Sequence, residues 1–271
     1  MDTNSNLFLV GEGWGFDCAK TGLSKRFDAF IDLQTNEAKE TIKSLTESTI
    51  IFAGYKPIVP NDVLKNNDCI NIHYSLLPKY RGLHSTVWAI LNDEDYLGLS
   101  VHKMSAYIDD GPIIHQFRVK NDRIKTSTDY MLMFNQYIAD NLGDIITNYF
   151  NNPTDLIENN KQYATWVGKR TIEDCKIDFG RDLKYIHNFF RALVNPYPLP
   201  YVLYKEKKYI VSKVDYHLQN VDTHVGRILN IDNDGLWVKA KDGYLVIKEL
   251  KDIEEKVVPF DCFKIGQYFN R

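Results

Sequence analysis

The sequence predicts an α/β protein, with a Rossmann-like parallel sheet flanked by helices and a small C-terminal all-β subdomain. Three observations predict it. In the first half, short β-rich runs alternate with segments of helical composition. From Thr126, one long stripe of apolar residues recurs at helical spacing. The final third carries several β-type runs, the last of them separated by the Asp-Gly turns Asp234-Gly235 and Asp242-Gly243.

The elements follow in order. Leu7–Val10 is a buried-strand candidate and leads into a turn carrying Gly11, Gly13 and Gly15. Phe16 stands at the third-glycine position, so the turn is not a dinucleotide fingerprint, and hydride transfer is disfavoured. Glu37–Thr46 has helical composition, Thr49–Ala53 is a β-branched run ending at Gly54, and Cys69–His73 is a third strand. Thr86–Leu91 reads as helix and Leu99–Met104 as strand. Tyr130, Phe134, Ile138, Leu142, Ile145 and Tyr149 form the helical stripe, with Thr126, Ser127 and Thr128 offering an N-cap. That stripe is core packing. The polar stretch Asn151–Gln162, with Pro153 inside it, reads as a linker. A further helix spans about Asp182–Val194 and stops before Pro196 and Pro198. Strands are expected at Tyr201–Tyr204, Tyr209–Val214, Gly226–Ile231, Leu236–Ala240 and Leu245–Leu250.

Composition narrows the class. With 271 residues, 44% hydrophobic and 25% charged, the chain is an ordinary globular protein of one large or two modest domains. A net charge of −3 and the lack of a dense basic stretch argue against nucleic-acid binding through phosphates. The opening MDTNSNLFLV has no basic n-region, and no apolar stretch reaches membrane-spanning length, so a cytoplasmic location is expected. Cys18, Cys69, Cys175 and Cys262 are scattered without a CxxC pair and read as reduced thiols. The histidines lack ligand spacing as well, so no metal site is expected.

Three places carry chemistry. The first is Asn71-Ile72-His73, followed by Tyr74 and the loop Ser75-Leu76-Leu77-Pro78-Lys79-Tyr80-Arg81-Gly82. On a strand, Asn71 and His73 share one face, and at its C-terminal end an amide and an imidazole make an acyl-transfer pair. Alone, Asn-x-His is common by chance and more often structural. The second is Asp109-Asp110-Gly111, whose bland reading is an Asp-rich turn. In the functional reading one aspartate orients and charges His73, raising its pKa. The third is Ala53-Gly54-Tyr55, where a strand ending in small residues lets backbone approach a flat ligand, or is simply a strand exit.

Together these segments resemble the folate-dependent formyltransferase family, which includes methionyl-tRNA, glycinamide ribonucleotide and sugar-nucleotide N-formyltransferases. Asn71, His73 and Ser75-Leu76-Leu77-Pro78 match its Asn-x-His-x-Ser-Leu-Leu-Pro loop, and Asp109-Asp110-Gly111 its Asp-x-Gly. The resemblance continues through Lys169–Asp174, Ile177-Asp178, Ile186–Leu193 and Pro196-Tyr197-Pro198. Tyr74 departs from a common proline, and the short N-terminal region suggests a trimmed first pair of βα units. The resemblance implies that Asn71, His73 and Asp109 are catalytic. It also implies that N10-formyltetrahydrofolate is the co-substrate, held by Ala53, Gly54, Tyr55, Asp110 and Gly111. Asn71 and a protonated His73 would stabilise the oxyanion, with no metal required. The expected organisation is a catalytic domain over 1–165, a linking helical segment over 166–199 and a β subdomain over 200–271.

Three acceptors compete. A glycinamide ribonucleotide enzyme should end soon after the catalytic domain, and this chain continues. A tRNA acceptor favours a basic C-terminal domain, yet Pro200–Arg271 holds twelve Lys/Arg against eleven Asp/Glu. The reading that remains is a nucleotide-linked amino deoxysugar, with a thymidine diphosphate carrier by family analogy, used in surface polysaccharide (O-antigen) synthesis. Lys79 and Arg81 would then meet a diphosphate, with Arg191 and Tyr197 as further contacts. For each of the four, solvated or packed surface is the competing explanation. Trp14, Trp88, Trp166 and Trp237 read as core or interface packing before base stacking. A formyltetrahydrofolate hydrolase uses the same triplet with water as acceptor. The β-rich C-terminal half is compatible with a homodimer.

Overall fold

The structure is a computed structural model that describes residues 6–270. Residues 1–5, part of the opening read as lacking a signal peptide, lie outside the described residues. In chain order the main elements are β1 (Leu7–Gly11), α1 (Trp14–Leu23), β2 (Ile31–Gln34), α2 (Thr35–Thr41), β3 (Thr49–Ala53), α3 (Asn61–Asn66) and β4 (Asp68–His73). Then come β5 (Arg81–Gly82), α4 (Ser85–Leu91), β6 (Tyr96–Lys103), β7 (Ile113–Lys120), α5 (Ser127–Asn151) and β8 (Trp166–Val167). After them follow α6 (Leu183–Ala192), β9 (Tyr201–Tyr204), β10 (Lys207–His217), β11 (Ile228–Asp232), β12 (Gly235–Lys239) and β13 (Tyr244–Lys251).

The chain forms two compact units. The first runs through Ala89, then takes Asp95–Asn121 and Asp129–Gly168; the second holds Ile90–Glu94, Asp122–Thr128 and the chain from Lys169 onward.

The first unit is built on a sheet of order β2-β1-β3-β4-β6-β7. β1 to β4 are parallel, whereas β4–β6 and β6–β7 are antiparallel. The expected parallel sheet therefore covers only part of the observed one. Strand alternation reports which residues are buried and not which way a strand runs. Both N-terminal βα units are present, though short. α1, β2 and α3 were not anticipated because segments of 10, 4 and 6 residues show too little periodicity to read. On α5 the stripe Tyr130, Phe134, Ile138, Leu142, Ile145 and Tyr149 is buried throughout. A fully buried side chain of this kind stabilises by about 1.5–3 kcal/mol.

The segment read as a linker is instead bound to the sheet. Ile157 pairs with Ile113, and just beyond the segment β8 pairs in parallel with β5. The Asn159 side chain satisfies the carbonyls of Asp109 and Gly111, so the polarity of the segment did not signal freedom.

The second unit is an antiparallel sheet of order β11-β12-β13-β10-β9 with α6. The Asp182 carboxylate caps α6 by accepting from Tyr185 N at 2.7 Å. Asp93 accepts from Arg123, Lys184 and Asn188, and Arg123 O accepts from His187, which ties Ile90–Glu94 and Asp122–Thr128 to α6. None of the four tryptophans is buried. Trp14 and Trp166 are exposed, and Trp237 stacks with Tyr244 and His217 on the sheet. All four cysteines are free thiols. No helix among the described residues is long and apolar enough to cross a membrane.

Candidate active site

The parallel strands β1, β3 and β4 end along one edge of the sheet, since Gly11 pairs with Ala53 and Phe52 with Asn71. Asn71 and His73 stand at the C-terminal end of β4, where open α/β sheets place their ligands. Gly54 follows β3 with φ of 72°, a left-handed turn that a side chain would strain. Ala53 is buried, and the Tyr55 ring packs on Phe52 at 5.2 Å between centroids.

The loop after His73 is held by hydroxyl side chains, one of its own and others from neighbouring elements. Ser75 Oγ donates to Lys79 O at 2.7 Å, and Ser100 Oγ to Ser75 O at 2.7 Å. Tyr74 O accepts from Ser85 and Thr86, and Tyr80 N donates to Thr165 Oγ1 at 2.8 Å. This pinning brings Gly82 N to Asp109 Oδ2 at 2.9 Å and Tyr80 O to His73 Nε2 at 2.9 Å.

Asp109 comes from the β6–β7 connection and has φ of 49°. Gly111 beside it lies so close to β6 that a Cβ would stand 1.9 Å from Lys103 O, so only glycine lets the loop turn in. Asp109 Oδ2 reaches His73 Nδ1 at 3.5 Å, and Oδ1 lies 3.4 Å from both Asn71 Nδ2 and His102 Nε2. The structure thus brings Asn71, His73 and Asp109 together across a sequence gap of 38 residues.

His102 joins them and was missed in the sequence. It stands directly opposite Asn71 across β4–β6, and Asn71 Nδ2 lies 3.2 Å from its Nε2. The available signal was the polar pair Ser100 and His102, alternating with Leu99 and Val101 on the strand. Reading it required knowing which strand lay next door.

Tautomers follow from the carbonyls. Tyr80 O can only accept, so His73 carries its proton on Nε2 and leaves Nδ1 with a lone pair beside Asp109. Lys103 O accepts from His102 Nδ1 at 2.8 Å, so His102 Nε2 can accept from the Asn71 amide. Burial lowers the His73 pKa below its ordinary value; the Asp109 charge and the Tyr80 bond oppose this without overcoming it, and His102 adds to it. The expected rise from a neighbouring carboxylate is therefore outweighed, and resting His73 is neutral. Asp109 behaves oppositely. Burial pushes its carboxyl up, but His102, His73 and the Gly82 N–H together hold it at about 2. A neutral imidazole nitrogen, an amide donor and a fixed carboxylate converge there, which suits acyl transfer to an amine.

The other expected contacts are placed as follows. Asp110 is half-buried and paired with Arg81 and with Lys161 at 3.1 Å. Arg81 is buried, and its Nη2 donates to Asn159 Oδ1 at 2.7 Å. Lys79 is exposed on the same loop. Arg191 and Tyr197 belong to the second unit, where Arg191 donates to Asn188 Oδ1 and Lys125 O and Tyr197 is half-buried.

Fold and site together define an α/β acyl-transfer protein. Family profiles agree: that described as formyl transferase matches residues 21–137, and that of the formyl transferase C-terminal domain matches 169–267. The chain belongs to the formyltransferase family. It is 33% identical over 232 residues to the methionyl-tRNA formyltransferase of Borrelia duttonii (strain Ly), covering 82% of this chain and 72% of that one. Among solved structures it resembles the N-formyltransferase from Helicobacter canadensis, in complex with folinic acid and dTDP-3-aminofucose. That likeness has a TM-score of 0.71 at 20% identity and covers 90% of this chain and 98% of the other. It also resembles WlaRD, a sugar 3N-formyl transferase seen with dTDP and 5-N-formyl-THF, with a TM-score of 0.70 at 19% identity over 90% of this chain and 97% of that one.

Proposed function

We propose that this formyltransferase moves a formyl group from N10-formyltetrahydrofolate to the primary amine of a nucleotide-linked amino deoxysugar, with thymidine diphosphate as the first carrier to test. The observation that carries formyl transfer is the convergence of Asn71, His73 and Asp109 at the end of β4. Its donor set fits a folate-borne formyl group. The backbone around Ala53, Gly54 and Tyr55 is proposed to hold the flat ring, with Asp110 and Gly111 shaping the opposite loop.

In this reading the Asn71 amide donates to the formyl oxygen as that atom gains negative charge. Its resting contacts to His102 and Asp109, at 3.2 and 3.4 Å, are long, so one hydrogen can be redirected. His73 Nδ1 takes the proton that the attacking amine loses, and Asp109 beside it stabilises the imidazolium formed. His73 thus begins neutral as a base, and is charged only once the nitrogen has attacked.

Support for the sugar acceptor comes from the two sugar N-formyltransferase folds, each aligned over 90% of this chain, and from the near-neutral C-terminal segment. Lys79, exposed on the loop that follows His73, is the proposed diphosphate contact. The 33% identity to a methionyl-tRNA formyltransferase favours a second reading, with an aminoacyl-tRNA as acceptor. Release of tetrahydrofolate is the deciding assay, run without acceptor, with a panel of nucleotide-linked 3-amino and 4-amino deoxysugars, and with methionyl-tRNA. Stimulation by one sugar supports the proposal. Stimulation by the tRNA alone transfers the function to that acceptor, and equal release without acceptor makes the protein a hydrolase.

A further inference from the structure

We infer that Asn159 is a positioning residue, which sets the catalytic carboxylate of Asp109 by holding the carbonyl of Asp109 itself and that of Gly111 two residues on. Asn159 lies in the stretch whose polar composition suggested a free linker. Its Nδ2 donates to Asp109 O at 2.9 Å and to Gly111 O at 2.8 Å. Both amide hydrogens are thus spent on the carbonyls that flank Asp110, and its Oδ1 accepts from Arg81 Nη2 at 2.7 Å. Asn159 is buried, with 7% of its surface exposed, so these bonds do not compete with bulk water.

The rest of the segment extends the grip. Ile157 and Ile113 exchange both backbone bonds, at 2.9 and 2.8 Å. Arg81 N donates to Thr165 O at 2.8 Å, and Tyr80 N to Thr165 Oγ1. Residues 157–167 therefore form a strap across two loops: the one that carries Asp109, and the one whose Tyr80 carbonyl fixes the His73 tautomer. Asp109 has a left-handed φ of 49°, a conformation that costs a non-glycine residue energy and persists only where its surroundings hold it. Asn159 supplies that hold directly. Without its two bonds, Asp109 and Gly111 lose buried donors, the turn relaxes, and Oδ2 leaves His73 Nδ1.

The catalytic consequence presupposes formyl transfer at Asn71, His73 and Asp109. Asn159→Asp keeps size and the acceptor for Arg81 but removes both donors. With the acceptor that the wild type uses, its kcat is expected to fall about 10- to 100-fold, as for a catalytic group displaced by about 1 Å. KM for both substrates should stay within about threefold. Wild-type kcat in a folded Asn159→Asp would overturn the inference. A second measurement needs no turnover. Three groups face His73: Asp109, which raises its pKa, His102, which lowers it, and the Tyr80 carbonyl. In Asn159→Ala, or the longer neutral Asn159→Leu if the alanine variant does not fold, withdrawal of Asp109 should move the His73 titration by nitrogen-15 NMR to lower pH. An unchanged titration would overturn the inference even if the wild type transferred formyl to no acceptor, an outcome that would sink only the functional reading.

Discussion

Asn71 and His102 stand directly opposite one another on β4 and β6, with the Asn71 amide nitrogen 3.2 Å from His102 Nε2. His102 Nδ1–H donates to Lys103 O, so Nε2 is left as an acceptor aimed at the amide. In the proposed mechanism His102 therefore orients the Asn71 amide. Replacing His102 with Phe removes that acceptor and keeps a ring. kcat is expected to fall about 10-fold or more with little change in KM, and Asn71→Ala to cost about 100- to 1000-fold, as for loss of an oxyanion donor. Equal kcat in wild type and His102→Phe would show that Asn71 needs no such support.

The His73 pKa is lowered by burial, and the proposed role as a base uses its neutral form, which sets the sign of the expected pH dependence. kcat/KM should rise with pH, level off above a midpoint lying below 6.5, and stay level until another group titrates. Asp109→Asn removes the charge that opposes the lowering, so its midpoint should lie lower still while kcat falls. His73→Ala should lose about 100- to 10000-fold in kcat. A profile that declines as pH rises through neutrality would instead require an imidazolium in the resting enzyme.

The same shifts make stability pH-dependent. A histidine with a depressed folded pKa contributes stability above its unfolded value of about 6.5, and loses it as pH falls below that. His115, also lowered by burial, behaves in the same way. The thermal midpoint should therefore drop between pH 7 and pH 5, and His73→Gln should shrink that drop without abolishing it. Asp109, held at about 2, contributes stability above the unfolded carboxylate range, lost only from about pH 4 downward. Thermal scans against pH separate the two windows.

Gly111→Ala would place a methyl group 1.9 Å from Lys103 O, a backbone atom that cannot swing away. The loop must move, and Asp109 with it. A destabilisation of about 1–3 kcal/mol is expected, together with a loss of kcat larger than stability alone explains. Denaturant unfolding and turnover on the same preparation check both.

Arg81 is the sharpest difference between a residue read in sequence and its surroundings in the fold. As a cation soon after His73 it suggested a diphosphate contact, but it is 2% exposed and joined to Asp110 and Asn159. Arg81→Met leaves half-buried Asp110 with the Lys161 partner alone and Asn159 Oδ1 without its donor, and should destabilise by about 1–3 kcal/mol, the cost of an unmet buried hydrogen-bonding group. Lys79→Ala, by contrast, should raise the acceptor KM and leave the thermal midpoint unchanged. A raised acceptor KM with unaltered stability in Arg81→Met would restore Arg81 to the substrate.

The sequence by itself determined the strands β3, β4 and β9, the buried stripe of α5, the all-β C-terminal part and the pair Asn71 and His73. These are local properties: alternation, helical period and turn chemistry are written in neighbouring residues. The motif match also named Asp109. Only the tertiary structure decided that β6 runs antiparallel to β4, which delivers His102 to Asn71, and that the polar stretch after α5 is a strap. It also decided that burial outweighs Asp109 in setting the charge of His73. Each of these depends on which residues become neighbours across tens of positions, and on how much water is excluded when they do. Strand direction and desolvation have no local sequence signature.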